Sequence, residues 1–187
     1  PRVHAVAHLL NQALGSHPRL ITLYEPGVEA VRSGPEVLRE LSEAASAGRV
    51  DTLVVTAFNP VYTAPVGVTL GAALSAVPNA VYLSSREDET SKHTAWVLPA
   101  AHVLESWGDT RAVDGTASIL QPLIEPLFQG LTELDVLSPF AGVAEQTPHQ
   151  LVKSHWQRRA GASGAAFDDT WDQWLAVGTI PGTEAPG

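Results

Sequence analysis

Between residues 3 and 14 the apolar side chains of Val3, Val6, Ala7, Leu10, Ala13 and Leu14 recur at the spacing of one helical face, and Gly15 supplies a stop. Residues 19–24, RLITLY, then predict a short first strand ahead of the turn signal Glu25, Pro26, Gly27. Ser33, Pro35 and Glu36 combine a capping hydroxyl, an early helical proline and an acid able to reach back, so a helix is expected to about Ala47. Val37, Leu38, Leu41, Ala44 and Ala45 form its inner face, and Gly48 ends it. Residues 51–58, DTLVVTAF, are nearly continuous in apolar character, which predicts a strand covered on both faces. Asn59, Pro60 and Pro65 break the chain after it; Val68, Ala72, Ala73, Leu74 and Val77 mark another helix, and residues 80–84 a further strand.

Strands alternating with helices predict an α/β fold: a Rossmann-like, mostly parallel sheet with flanking helices, joined by right-handed crossovers because parallel neighbours need a long connection. Beyond Ser85 the periodicity weakens into an acidic turn, a short apolar piece at 95–98, a loop rich in Gly and Asp, and an extended region within 115–124. Residues 148–159 and 165–177 read as helices, the second amphipathic through Phe167, Trp171, Trp174 and Leu175. The expected organisation is an α/β domain over 1–130 and a helical C-terminal extension over 131–187 that packs on it, with no internal repeat.

Charge narrows the function. A net charge of -9, with 11 Lys plus Arg thinly spread, offers no basic stripe for phosphates, so nucleic acid is not an expected partner. No apolar run approaches the roughly 20 residues of a membrane helix, so no direct membrane span is expected. With Cys 0 the chain has neither a thiolate nucleophile nor an iron–sulfur ligand of its own. It opens at Pro1 with a helical pattern and without a signal-peptide profile, as expected of a piece of a longer protein.

Each candidate motif has a plainer explanation beside it. His4 and His8 share a helix face, but neither an adjacent Glu nor a third ligand accompanies them, which favours a solvent or interface role over a metal. His149 and His155 do not share a face. Glu87, Asp88 and Glu89 lack the alternating oxygen spacing of a calcium loop and fit a solvated helix start better. Glu105, Asp109, Arg111 and Asp114, around Trp107 and Gly108, form the best local cluster for acid–base work or a polar ligand, with a hydrogen-bonded structural loop as the commoner outcome. Glycine-rich phosphate loops and a nucleophile elbow are missing from the sequence, so no catalytic residue and no metal ligand is assigned. Trp156, Trp171 and Trp174 read as core or interface anchors.

The stretch 51–126 nonetheless carries a recognisable arrangement. Asn59-Pro60 stands at a strand-to-helix turn, Glu89-Thr90 in an acidic segment, Leu98 to Ala100 reads L-P-A, and Glu105 and Gly108 close the pattern. In this it resembles the molybdopterin oxidoreductase family, and through residues 59–65, 105–116 and 119–126 it is most similar to the molybdopterin-like iron–sulfur large subunit of bacterial alternative complex III, a quinol oxidoreductase. Residues 3–15 and 167–183 look like the same branch.

The resemblance implies a cofactor-free structural module of a membrane-associated, quinol-oxidising complex. Its partners would be the iron–sulfur part of the same chain and the heme and membrane subunits, on the periplasmic face of the cytoplasmic membrane. Iron–sulfur clusters are implied elsewhere in the parent, and none in this piece. Ala57 and Phe58 stand where the family has small residues before Asn59, and Ser84-Ser85 replaces its Gln-Asp. Bulk there hinders the close backbone approach a pyrophosphate needs. Under the alternative, an active molybdopterin oxidoreductase, Asn59, Ser84 and Glu105 would contact a molybdopterin guanine dinucleotide at the carboxyl ends of the strands. A third reading is an unrelated partner-binding α/β domain.

Overall fold

The computed structural model of the 187-residue chain describes residues 2–17, 19–21, 24, 34–56 and 58–185. Its elements in chain order are α1 (Arg2–Ala13), α2 (Gly34–Ser46), β1 (Thr52–Val55), α3 (Pro60–Thr63), α4 (Leu70–Ser75), β2 (Asn79–Ser84), β3 (Trp96–Pro99), β4 (Gly108–Arg111), β5 (Ala117–Leu120), α5 (Glu133–Leu137), α6 (Pro148–Ala160) and α7 (Ala165–Val177). The fold is α/β, with β1, β2 and β3 forming a parallel sheet in that order.

Register decides which side chains meet. Leu53 lies beside Ala80 and Val55 beside Tyr82, so alternation puts all four on one face. There Ala80 and Leu53 meet Ala45 of α2 and Ala73 of α4, and Val55 and Tyr82 meet Leu70 and Leu74 with Leu38 and Leu41. Helices α2 and α4 therefore cover the same face and pack on each other. The other face carries Val54, Val81, Leu83, Trp96 and Leu98; Leu83, at its carboxyl end, is buried, Val54, Val81 and Leu98 are half-buried, and Trp96 is 61% exposed. The expectation that 51–58 would be buried on both faces is thus corrected. In the edge strand β1 only Val55 is fully buried, because the helices gather on one side.

Two further expectations change. Of the strand read at 19–24, Arg19, Leu20, Ile21 and Tyr24 are described and none is in a strand; the amides of Leu20 and Ile21 donate instead to the Ser16 carbonyl in a turn. Thr22 and Leu23 of that reading, the turn signal Glu25, Pro26 and Gly27, the capping Ser33, and Ala57 lie outside the described residues. The third parallel strand comes from the short apolar piece after the acidic turn, with Val81 beside Trp96 and Leu83 beside Leu98. Helix α1 forms as expected, yet none of its residues is buried; Val3 is 80% and Leu9 61% exposed.

A second core lies in the C-terminal half. The segment read as a Gly- and Asp-rich loop contains β4, which pairs antiparallel with β5, Asp109 facing Ile119. Ala117 and Ile119 join Val152 and Trp156 of α6, Phe167 and Trp171 of α7, and Ile180. This core draws on residues on both sides of position 130. Local signals frame its helices: the Thr147 hydroxyl and the Gln150 side chain form a reciprocal cap, Pro148 occupies the first turn, and Gly161, at φ 63°, ends α6 in the left-handed region. In α7, Phe167 and Trp171 stand one turn apart and are both almost fully buried.

Trp171 touches Phe167, Trp107 and His149 within that core. Trp171→Ala is expected to destabilise the chain by about 3–5 kcal/mol, measured as the shift of a urea unfolding transition; a loss below about 1 kcal/mol would mean that this core does not govern global stability.

Candidate functional site

The carboxyl ends of β1, β2 and β3 open into a cleft of about 1270 Å³, walled on its other side by α5 and α6. Open α/β sheets bind ligands at this end of their strands. Phe58 and Asn59 follow β1, Ser85 and Arg86 follow β2, and Ala100 to His102 follow β3, while Leu134, Leu137, Leu151, His155 and Arg158 come from the opposite wall.

At the floor of the sheet end, Asn59 is held from several directions. Its Oδ1 accepts from the Thr90 hydroxyl at 2.7 Å and from the Tyr62 amide at 3.2 Å, the second bond capping α3. Its Nδ2 donates to Glu89 at 2.7 Å, and this bond holds the Glu89 carboxyl below its ordinary pKa. Thr90 is fully buried and also accepts from the Val61 amide at 3.1 Å. Asp88 takes the Tyr82 hydroxyl at 2.7 Å and the amides of Thr90 and Ser91 at 2.9 and 3.1 Å. Burial, more than the neighbouring carboxylate, raises the Tyr82 phenol. The acidic run read as a solvated helix start therefore does initiate a short helical turn at Ser91–His93, but Asp88 and Glu89 also tie it to β2 and to the turn after β1.

Of the three candidate cofactor contacts, Asn59 and Ser84 line the cleft and Glu105 does not. The Ser84 hydroxyl donates to the Arg86 carbonyl at 2.8 Å. Glu105 caps its own turn, accepting from the His102 amide at 2.9 Å and the Leu127 amide at 3.2 Å, bonds that lower its pKa in that order. The surrounding cluster divides in the same way. Asp109 accepts from the Trp156 indole at 2.7 Å, Arg111 donates to the Gly115 carbonyl at 3.0 Å and lies over the Trp156 ring, and Asp114 accepts from the Thr116 amide at 3.0 Å, which lowers its pKa. Asp109 and Arg111 thus fasten the β4–β5 hairpin to Trp156 of α6, while Asp114 holds the hairpin's own turn.

Sequence reasoning singled out neither Arg86 nor Arg158. Both line the cleft, and neither guanidinium hydrogen-bonds or ion-pairs with another described residue. Their shared position depends on α6 packing beside the sheet end, which no local pattern encodes. Among the described residues no three His, Asp or Glu side chains are grouped to hold a metal, and His4 and His8 stay on the exposed α1. His149 rests against the Trp107 ring at 4.5 Å and the Trp171 ring at 5.9 Å. Compared with known proteins, the chain matches no protein-family model and no curated protein.

Two predictions follow from these contacts. In Asn59→Asp a second carboxylate replaces the amide that donates to Glu89, so the variant should melt below the native chain at neutral pH and recover part of the difference as pH falls toward about 4, where one acid takes up a proton. A gap that does not change with pH would show that Glu89 is not held by this bond. Burial lowers the His149 pKa from 6.5, with Lys153 adding to it. The unfolded chain thus protonates first: the His149 contribution is fully present above pH 6.5 and is lost as pH falls through that value toward the lower folded one. His149→Gln should flatten the loss of stability between about pH 7 and 5, measured by urea unfolding at each pH; an unchanged slope would assign that loss to other groups.

Proposed function

We propose that the chain is a structural module of a membrane-associated, quinol-oxidising electron-transfer complex: a molybdopterin-oxidoreductase-like α/β domain that provides packing surface rather than chemistry. The observation carrying this reading is that Asn59, Ser84 and Glu105, the side chains best placed by sequence to grip a pterin nucleotide, are each already bonded within the chain. Releasing Asn59 would leave the buried Thr90 hydroxyl without its acceptor, at a cost of about 1–3 kcal/mol. Such groups are poorly suited to exchanging partners with a ligand.

The charge at the cleft adds to this. Four carboxylates line it, on Asp88, Glu89, Asp109 and Glu133, against the two guanidiniums of Arg86 and Arg158. A pyrophosphate would meet more negative than positive charge there. Phe58, 56% exposed at the cleft, also adds bulk beside Asn59. These residues do not fit a guanine dinucleotide, and no step of its chemistry is assigned to them. In this proposal iron–sulfur clusters belong to another part of the parent chain, hemes to neighbouring subunits, and the assembly to the periplasmic face of the membrane. The uncovered apolar face of α1 and the exposed Trp96 support a role in packing against neighbours.

The competing reading, part of an active molybdopterin oxidoreductase, is favoured by one feature, a large cleft at the carboxyl ends of the parallel strands. Metal and pterin analysis of the full-length parent, purified from its native membrane, separates the two. Iron without molybdenum or pterin is the expected result. Stoichiometric molybdenum with a pterin nucleotide would overturn the module reading.

A further inference from the structure

We infer that the cleft binds an extended polypeptide segment of a partner protein, one that carries an isolated carboxylate side chain flanked by apolar residues. The inference needs only the cleft and does not depend on which complex the chain serves.

Charge selects the occupant. Three of the four cleft carboxylates are held by the chain's own donors: Asp88 by Tyr82 and two amides, Glu89 by Asn59, and Asp109 by Trp156. Their oxygens have further lone pairs, so they disfavour a polyanion but accept neutral N–H donors, which a peptide backbone supplies at every residue but proline. The two guanidiniums have the opposite character. Arg86 on the sheet wall and Arg158 on the helical wall face the same cleft without a hydrogen-bonding or ion-pairing partner among the described residues. Arginine pairs with a carboxylate through two parallel N–H bonds, so an acidic side chain on the occupant gains a partner at the guanidinium of either wall.

Size and surface agree. The volume of about 1270 Å³ exceeds the roughly 300–1,000 Å³ usual for small-molecule sites. Its lining includes Phe58 at 56%, Tyr62 at 74% and Leu137 at 46% exposure, apolar surface on both sides of the opening. Burying such side chains against aliphatic residues of a peptide would supply most of the affinity, with the arginines fixing register.

The test is a selection from a random peptide library displayed on phage, run in parallel against the full chain and against the double variant Arg86→Gln, Arg158→Gln. Neither guanidinium hydrogen-bonds or ion-pairs with another described residue, so the variant should keep the native circular dichroism spectrum, with at most the small loss in melting temperature that removing a cation from the last turn of α6 brings. Peptides recovered on the native chain should share an acidic residue flanked by apolar ones. When synthesised, they should bind the double variant at least about tenfold more weakly, and replacing their acid by Gln should weaken binding to the native chain to a similar degree. The proposal fails if no peptide is recovered, if the recovered sequences show no acidic preference, or if the double variant binds them equally well. Displacement of a bound peptide by equimolar guanosine diphosphate would also overturn it, by revealing a small-anion site.

Discussion

The backbone at Gly130 and Leu131 approaches the end of β3 more closely than any side chain on residue 130 would allow. A Cβ on Gly130 would lie 2.7 Å from the Ala101 nitrogen. Without one, Leu131 runs parallel to the strand end: its amide donates to the Pro99 carbonyl at 2.8 Å and its carbonyl accepts from the Ala101 amide at 2.9 Å. These two bonds join the parallel sheet to the segment that leads into α5 and α6. The second core is built on α6, so its placement beside the sheet rests on this contact, and with it the existence of a cleft between two walls.

The same strand ends explain why the polar residues there act as fasteners. β1 is an edge strand with one face covered, and β3 is short, so hydrophobic burial alone holds the carboxyl end of the sheet weakly. The bonds from Asn59 to Glu89 and Thr90, and from Tyr82 to Asp88, span 31 residues or fewer in sequence and close the turns after β1 and β2 against each other. A ligand that recruited these side chains would have to replace bonds that define the site. The arginines carry no such duty, which separates the part of the cleft available for recognition from the part that makes it.

Legibility in the sequence followed the range of the interactions. Helix α7 agrees with the periodicity read at 165–177, because Phe167, Trp171, Trp174 and Leu175 bury one face and Gly178 stops it locally. β2 was readable from its apolar run. β4, by contrast, spells GDTR, and what holds Asp109 is the indole of Trp156, 47 positions away. No window of a few residues contains that partner. Residues 19–24 have the composition of a strand, but composition gives no partner strand, and the described amides turn back to Ser16 instead. Asn59 was legible as a turn residue and Glu89 as part of an acidic run; their bond, formed across β2, was not.

The distribution of burial bears on how the two halves contribute. Around α2 and α4 much of the sheet's inner packing is alanine, with Ala45, Ala73 and Ala80 each 1% exposed, whereas the second core buries Trp156, Phe167 and Trp171. Apolar stabilisation scales with area, so each aromatic contributes several times what an alanine does. The sheet core draws its larger buried area from Val55, Leu70, Leu74 and Tyr82 nearer the carboxyl end of the strands, and Leu131 ties the aromatic C-terminal core to that same end. The opposite face is covered at its carboxyl end, where Leu83 is 3% exposed, but not at Trp96, which is 61% exposed. A parallel sheet ordinarily has both faces covered; here the covering of this face is uneven among the described residues, complete at Leu83, which lines the cleft beside the Leu131 junction, and open at Trp96, toward the other end of the strands.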